Sequence, residues 1–131
     1  MERAGGRTRD IRFYSEKNNC IICVHNRWAR DYAKELDQDP CVQHFEVNIP
    51  LDPGRFAHVA RVDIRSDYFS VKWTTDFLLF LENGRKEARE LVQPELLTKR
   101  AVLEQLELSR RYWAAMDVEW KVVLVGDTEQ L

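Results

Sequence analysis

An α/β domain, with a mixed β-sheet flanked by helices, is the fold class this sequence predicts, and three observations predict it. The chain has 131 residues, 44% of them apolar, enough for one hydrophobic core and too few for two ordinary domains. Short β-branched and aromatic runs alternate with two stretches of helical period, near residues 27–37 and 95–116. A tight-turn signal, Glu82-Asn83-Gly84, joins two of the strand-like runs.

Taken in order, residues 1–10 hold two glycines and five charges with almost no apolar side chain, and read as a flexible basic arm. A single domain is expected over residues 11–125, and a frayed tail over 126–131. "IRFYS" and "IICV" are strand-like runs separated by the polar "EKNN". Asn26 is a good N-cap for a helix from Arg27 to about Asp37. In that helix Trp28, Tyr32 and Leu36 recur every four residues and make one buried face. Asp39-Pro40 ends it, since the residue before proline avoids the helical region.

"CVQHFEVNIPL" alternates well enough for a strand, with Val42, Phe45 and Val47 its main apolar members, before Asp52-Pro53-Gly54 turns the chain. "HVARVDI" reads as a further strand. "SDYFSVKWTTDFLLFL" completes the sheet with a strand centred on Phe77. Asn83-Gly84 tolerates the positive φ that a hairpin needs, so "RKEARELVQ" returns as its partner. Pro94 suits the start of a long helix from Glu95 to about Met116, striped by Val102, Leu106 and Trp113 with Leu103 and Met116 alongside. "EWKVVLV" supplies a final buried strand.

Charge and targeting signals narrow the function classes. Lys and Arg (20) nearly balance Asp and Glu (22), for a net charge of −2. Residues 1–30 nonetheless hold seven Lys/Arg against three acids, an excess that either a phosphate backbone or bulk solvent can take up. No apolar run is long enough to span a bilayer and "MERAGGRTRD" lacks the apolar core of a secretory signal, so a cytoplasmic protein without membrane contact is expected. Cys20, Cys23 and Cys41 make an odd set without the look of a disulfide scaffold. With His25 they could supply four soft zinc ligands, or the thiols of "CIICV" could simply pack as small hydrophobes. His25, His44 and His58 have neither the spacing of a helical metal site nor an evident nucleophile beside them.

The segments "NRWARDYAKELDQDPCVQHFEVNIPL", "TTDFLLFLENG", "ELVQPE" and "YWAAMDVEWKVVLV" together carry a resemblance. In their spacing, over roughly residues 26–125, the chain resembles the catalytic N-terminal domain of TnsA-type transposon endonucleases, of the restriction-endonuclease-like PD-(D/E)xK fold. The resemblance implies a four- or five-stranded mixed sheet. Asp76 would lie on a central strand, facing the N-terminal helix.

The resemblance also implies a metal site, and the sequence departs from it. The family's helix glutamate, eleven residues ahead of the proline after the helix, falls on Ala29. Its strand aspartate is matched by Thr75-Asp76. Its Glu/Gln-x-Lys before proline falls on Leu91-Val92-Gln93-Pro94, where both functional side chains are replaced. Mg²⁺ or Mn²⁺ needs several converging oxygens beside a scissile phosphate, and Asp76 alone supplies one ligand. Residues two apart on a strand share a face, so Leu91 and Gln93 point at the site while Glu90 points away.

Substitutes are available on paper: Glu87-Ala88-Arg89 in another register, Lys99 as a migrated lysine, and Asp31 or Glu35 for the helix acid. Arg27, Arg30, Lys99 and Arg100 would flank the entrance and could position a phosphate backbone without reading bases. The expected function is a catalytically degenerate TnsA-like subunit. It would bind transposition proteins, of the TnsB-type transposase or TnsC-type ATPase kind, and duplex DNA weakly, with no cofactor. The alternative is an active Mg²⁺- or Mn²⁺-dependent endonuclease, cutting transposon 5′ ends or serving a phage or defence system.

Overall fold

The computed structural model describes residues 10–126, so the expected arm and tail lie outside the described residues except for Asp10 and Gly126. A hairpin of β1 (Ile11–Ser15) and β2 (Cys20–Val24) leads into α1 (Arg27–Gln38). Then come β3 (Val42–Pro50), two 3₁₀ turns (Pro53–His58 and Ser66–Ser70), β4 (Thr74–Leu81) and β5 (Lys86–Val92). A third 3₁₀ turn (Pro94–Thr98), α2 (Arg100–Ala114) and β6 (Glu119–Leu124) follow. The main sheet has the order β3-β4-β5-β6. Its first three strands are antiparallel, and β6 runs parallel to β5. A parallel partner requires a crossover, and α2 provides it. The result is an α/β domain whose mixed sheet is flanked by helices.

Side-chain alternation along β4 divides the core in two. Phe77 and Leu79 join Phe45 of β3, Ala33 and Leu36 of α1, and Ile22 of the hairpin on one face. On the other, Leu78 and Ala88 pack with Leu108, Tyr112 and Trp113 of α2 and with Phe56, Val59, Ile64 and Phe69. Full burial of side chains of this kind contributes about 1.5–3 kcal/mol each. The expected cap is formed: Asn26 Oδ1 accepts from the Ala29 N–H at 2.9 Å. Tyr32 meets Phe77 edge to face, with centroids 5.2 Å apart.

At the β4–β5 turn only Gly84 takes the left-handed region, at φ 87°. Its N–H reaches Leu81 O at 2.9 Å, and Asn83 Oδ1 accepts from the Arg85 N–H at 2.9 Å. The glycine thus supplies the positive φ, and the asparagine supplies a hydrogen bond.

Four expectations about elements are corrected. "HVARVDI" is not a strand. Val59 and Ile64 turn inward into the core beside α2 while Val62 stays exposed, Asp63 sits at φ 65°, and Arg111 Nη1 donates to the carbonyls of Ala60 and Val62 at 2.8 and 2.9 Å, groups a sheet ladder would otherwise use. The long helix does not start at Glu95: extended backbone at Lys99 separates a 3₁₀ turn from α2.

The buried stripe of α2 is also rotated from the expected one. It comprises Glu104, Leu108, Ser109, Tyr112 and Trp113, while Leu103 is 48% exposed. Buried Glu104 and Ser109 have hydrogen-bond partners, which hydropathy cannot see. Finally, β6 is a half-exposed edge strand rather than a buried one, because it pairs with β5 alone. Among the described residues no helix is long and apolar enough to cross a membrane.

Candidate functional site

The site forms where two neighbouring strands part. β4 and β5 pair from Phe80↔Lys86 to Phe77↔Arg89 and no further, although β4 begins at Thr74 and β5 continues to Val92. Two carboxylates fill the gap left in the ladder. Asp76 Oδ2 accepts the Leu91 N–H at 2.7 Å, and Glu90 Oε1 accepts the Asp76 N–H at 3.3 Å. Buried backbone N–H groups need partners, and here side chains replace strand carbonyls.

Strand alternation breaks at the same place. Thr75 faces α2, where its Oγ1 accepts from Trp113 Nε1 at 2.8 Å, while Asp76 and Phe77 both lie on the α1 side. On β3, the pairs Val47↔Phe77 and Ile49↔Thr75 bracket Asn48, which stands opposite Asp76 with φ 53°. Asparagine tolerates that region better than most residues, and Asn48 Nδ2 donates to Cys23 O at 3.3 Å. Such strand irregularities commonly re-aim a side chain beside a site.

The re-aimed carboxylate enters a cavity of ≈ 290 Å³. Trp28 and Ala29 of α1, Asn48 of β3, Asp76 of β4, and Leu91 and Gln93 at the end of β5 are among its lining residues. The structure therefore brings together Ala29, Asp76, Leu91 and Gln93, from three separate elements. Neither a protein-family model nor a curated protein matches this chain. Among the described residues, Asp76 is the sole carboxylate lining the cavity, and no lysine or arginine lines it.

Burial pushes the Asp76 carboxyl up, and the Leu91 N–H partly opposes that. Glu90 points away from the cavity, as the strand argument expects. Its Oε2 accepts from Thr75 Oγ1 at 3.0 Å, from Trp120 Nε1 at 3.3 Å and from Ser109 Oγ. Burial is the largest influence on Glu90. The Ser109 hydrogen bond opposes it, the Asp76 charge adds to it, and the carboxyl is held at about 7.

The residues present do not fit the Mg²⁺ or Mn²⁺ that the resemblance implies. A hard cation of that kind needs several oxygen ligands. Here one carboxylate, desolvated and bonded through Oδ2 to a backbone N–H, stands among Ala29, Phe77 and Leu91.

None of the substitutes reaches the cavity lining. Lys99 is exposed at the break before α2. Asp31 and Glu35 are exposed, Asp31 paired with Arg30 at 3.0 Å. Glu87 pairs with Arg89 at 2.6 Å and Lys121 at 3.4 Å, and Arg89 Nη1 also donates to the Tyr32 hydroxyl. Burial raises Glu87, but these cations outweigh it and its carboxyl ends below the usual range.

The expected ring of entrance cations divides. Arg27 lies over the Trp28 ring at 5.4 Å, near the cavity. Arg100 instead lines a different cavity with Asp63, Arg65 and Glu104, and its Nε pairs with Glu104 at 2.7 Å. Among the histidines, His25 borders the Asp76 cavity, His44 stacks on Phe80 at 4.3 Å, and His58 ends a 3₁₀ turn, exposed.

The four-ligand zinc set is not assembled either. Cys20 and Cys23 are three apart on β2 and face opposite sides, and Cys20 and Cys41 are exposed. Among the described residues Cys23 and His25 gather with Asp10 instead.

The Glu90 network escaped sequence reasoning. Its signal was a polar residue at a core position, between Ala88 and Val92 on one strand face.

Proposed function

We propose that this domain is a catalytically lapsed, restriction-endonuclease-like subunit of TnsA type that works by binding. It engages transposition proteins, a TnsB-type transposase or a TnsC-type ATPase, and contacts duplex DNA weakly. One observation carries the reading: Ala29, Asp76, Leu91 and Gln93, the positions that the resemblance assigns to a metal-dependent nuclease centre, line a single cavity. Convergence from α1, β4 and the end of β5 supports the correspondence of those positions. The chemistry found there supports the loss of cleavage. With one carboxylate in the lining, a divalent cation lacks ligands, and the neutral Gln93 cannot polarise an attacking water as a lysine does.

Arg27, over the lining residue Trp28, offers a phosphate contact beside the cavity, with Arg30 on the same turn paired to Asp31, Lys99 exposed before α2 and Arg100 at another cavity. A net charge of −2 argues against strong electrostatic affinity for DNA, so recruitment by protein contact dominates. The test compares pull-downs against transposition proteins encoded beside the gene with gel shifts of duplex DNA at two salt concentrations. Salt-sensitive, weak shifts and salt-tolerant protein capture are expected. Tight, salt-insensitive DNA binding by the isolated chain, or capture of none of those proteins, would overturn the reading.

A further inference from the structure

The hairpin ahead of α1 carries a second chemical cluster, which borders the Asp76 cavity through His25. In the β1–β2 register Ile11 pairs with Val24 and Arg12 with Cys23, which sets Asp10 opposite His25. Cys23 lies on β2, and His25 and Asp10 stand just past the last pair of the ladder, one on each strand's continuation. One ligand atom from each of Asp10, Cys23 and His25 falls within 4.8 Å of the other two. Asp10 Oδ1 already meets His25 Nδ1 at 3.1 Å. The open end of the hairpin thus brings three different donors together.

We propose that Asp10, Cys23 and His25 form a three-ligand site for a zinc-class divalent cation, its fourth position open to water or an exogenous ligand. The donor set decides the class of ion. A thiolate and an imidazole select borderline or soft transition metals over Mg²⁺ or Ca²⁺, and one sulfur, one nitrogen and one oxygen suit tetrahedral zinc with an open position. Charge also fits: a thiolate and a carboxylate neutralise a divalent cation. The Cys23 thiol gives up its proton to solvent when the metal binds. Arg12, 3.8 Å from the other Asp10 oxygen, stays as that oxygen's partner. Bound metal would tie the chain at Asp10 to the β2 segment that borders the Asp76 cavity through Val24 and His25.

The probe is cobalt(II), titrated into the full chain under reducing conditions and followed by its sulfur-to-metal charge-transfer band and its tetrahedral visible bands. One equivalent binding with both signatures is expected, and zinc should displace it. Cys23→Ser should abolish the charge-transfer band, whereas Cys20→Ser and Cys41→Ser should leave it unchanged. Asp10 and His25 are exposed, so Asp10→Ala and His25→Ala leave folding intact and should each weaken binding tenfold or more. Absence of cobalt uptake by the full chain would overturn the proposal. So would a band that survives Cys23→Ser or depends on Cys20 or Cys41, or an affinity indifferent to His25→Ala.

Discussion

Replacing Glu90 by glutamine should flatten the dependence of stability on pH above about pH 5. Glu90 is 6% exposed and its carboxyl is held at about 7, against 4.5 for an ordinary glutamate. Between those two values the folded chain binds more protons at this position than the unfolded chain does. The stabilising difference is therefore complete below about pH 4.5 and is lost as pH rises through the folded value. At about 1.4 kcal/mol per pH unit, the native state loses roughly 2–3 kcal/mol between about pH 5 and about pH 8.

In urea, where domains lose about 1–3 kcal/mol per molar, this moves the unfolding midpoint down by about 1–3 M. Glutamine keeps a carbonyl oxygen for Ser109, Thr75 and Trp120 but sets an amide against the Asp76 N–H. It therefore carries a fixed cost without a slope. The assay is urea unfolding of both proteins across this range, read as the difference between their profiles, so that titration elsewhere cancels. Parallel profiles would refute the assignment of the perturbed carboxyl to Glu90.

Thr75→Val should cost about 1–3 kcal/mol, because the lost hydroxyl accepts from Trp113 and donates to Glu90; chemical denaturation measures it. Asp76→Ala should cost about 1–2 kcal/mol by stranding the Leu91 N–H, while Asp76→Asn, which keeps an acceptor, should recover most of that in the same assay. Gly84→Ala should destabilise by about 1 kcal/mol. An added Cβ there meets nothing within 4 Å, so the φ of 87° is its sole cause, and thermal unfolding should show it.

Local signals reported on the frame well. The Asn26 cap, the Asn83-Gly84 turn, the strand around Phe77 and the period of α1 each depend on residues near in sequence, and each formed where expected. Signals that depend on tertiary partners did not report in the same way. Val59, Val62 and Ile64 look like a strand until Arg111 takes the carbonyls of Ala60 and Val62. Glu104 and Ser109 look solvent-facing until Arg65 and Glu90 pair with them.

At the site, the resemblance named Asp76, Leu91 and Gln93, and these residues line one cavity. Period alone would set Asp76 and Phe77 on opposite faces. The break that turns both toward α1 rests on the distorted Asn48 opposite and on the end of β4–β5 pairing, a tertiary fact. For the cysteines, spacing suggested Cys20 with Cys23, whereas strand geometry separates them and hairpin register brings in Asp10.

The central proposal, that the Asp76 cavity corresponds to a nuclease centre with too few ligands left to hold a metal, is tested most directly by calorimetric titration with Mn²⁺. The native chain should show no heat that depends on Asp76. Ala29→Glu combined with Gln93→Lys, which returns a second carboxylate and a cation to the cavity, should show one Mn²⁺ site that disappears when Asp76→Ala is added. Mn²⁺ binding by the native chain that is lost in Asp76→Ala, accompanied by cleavage of duplex DNA, would contradict the account.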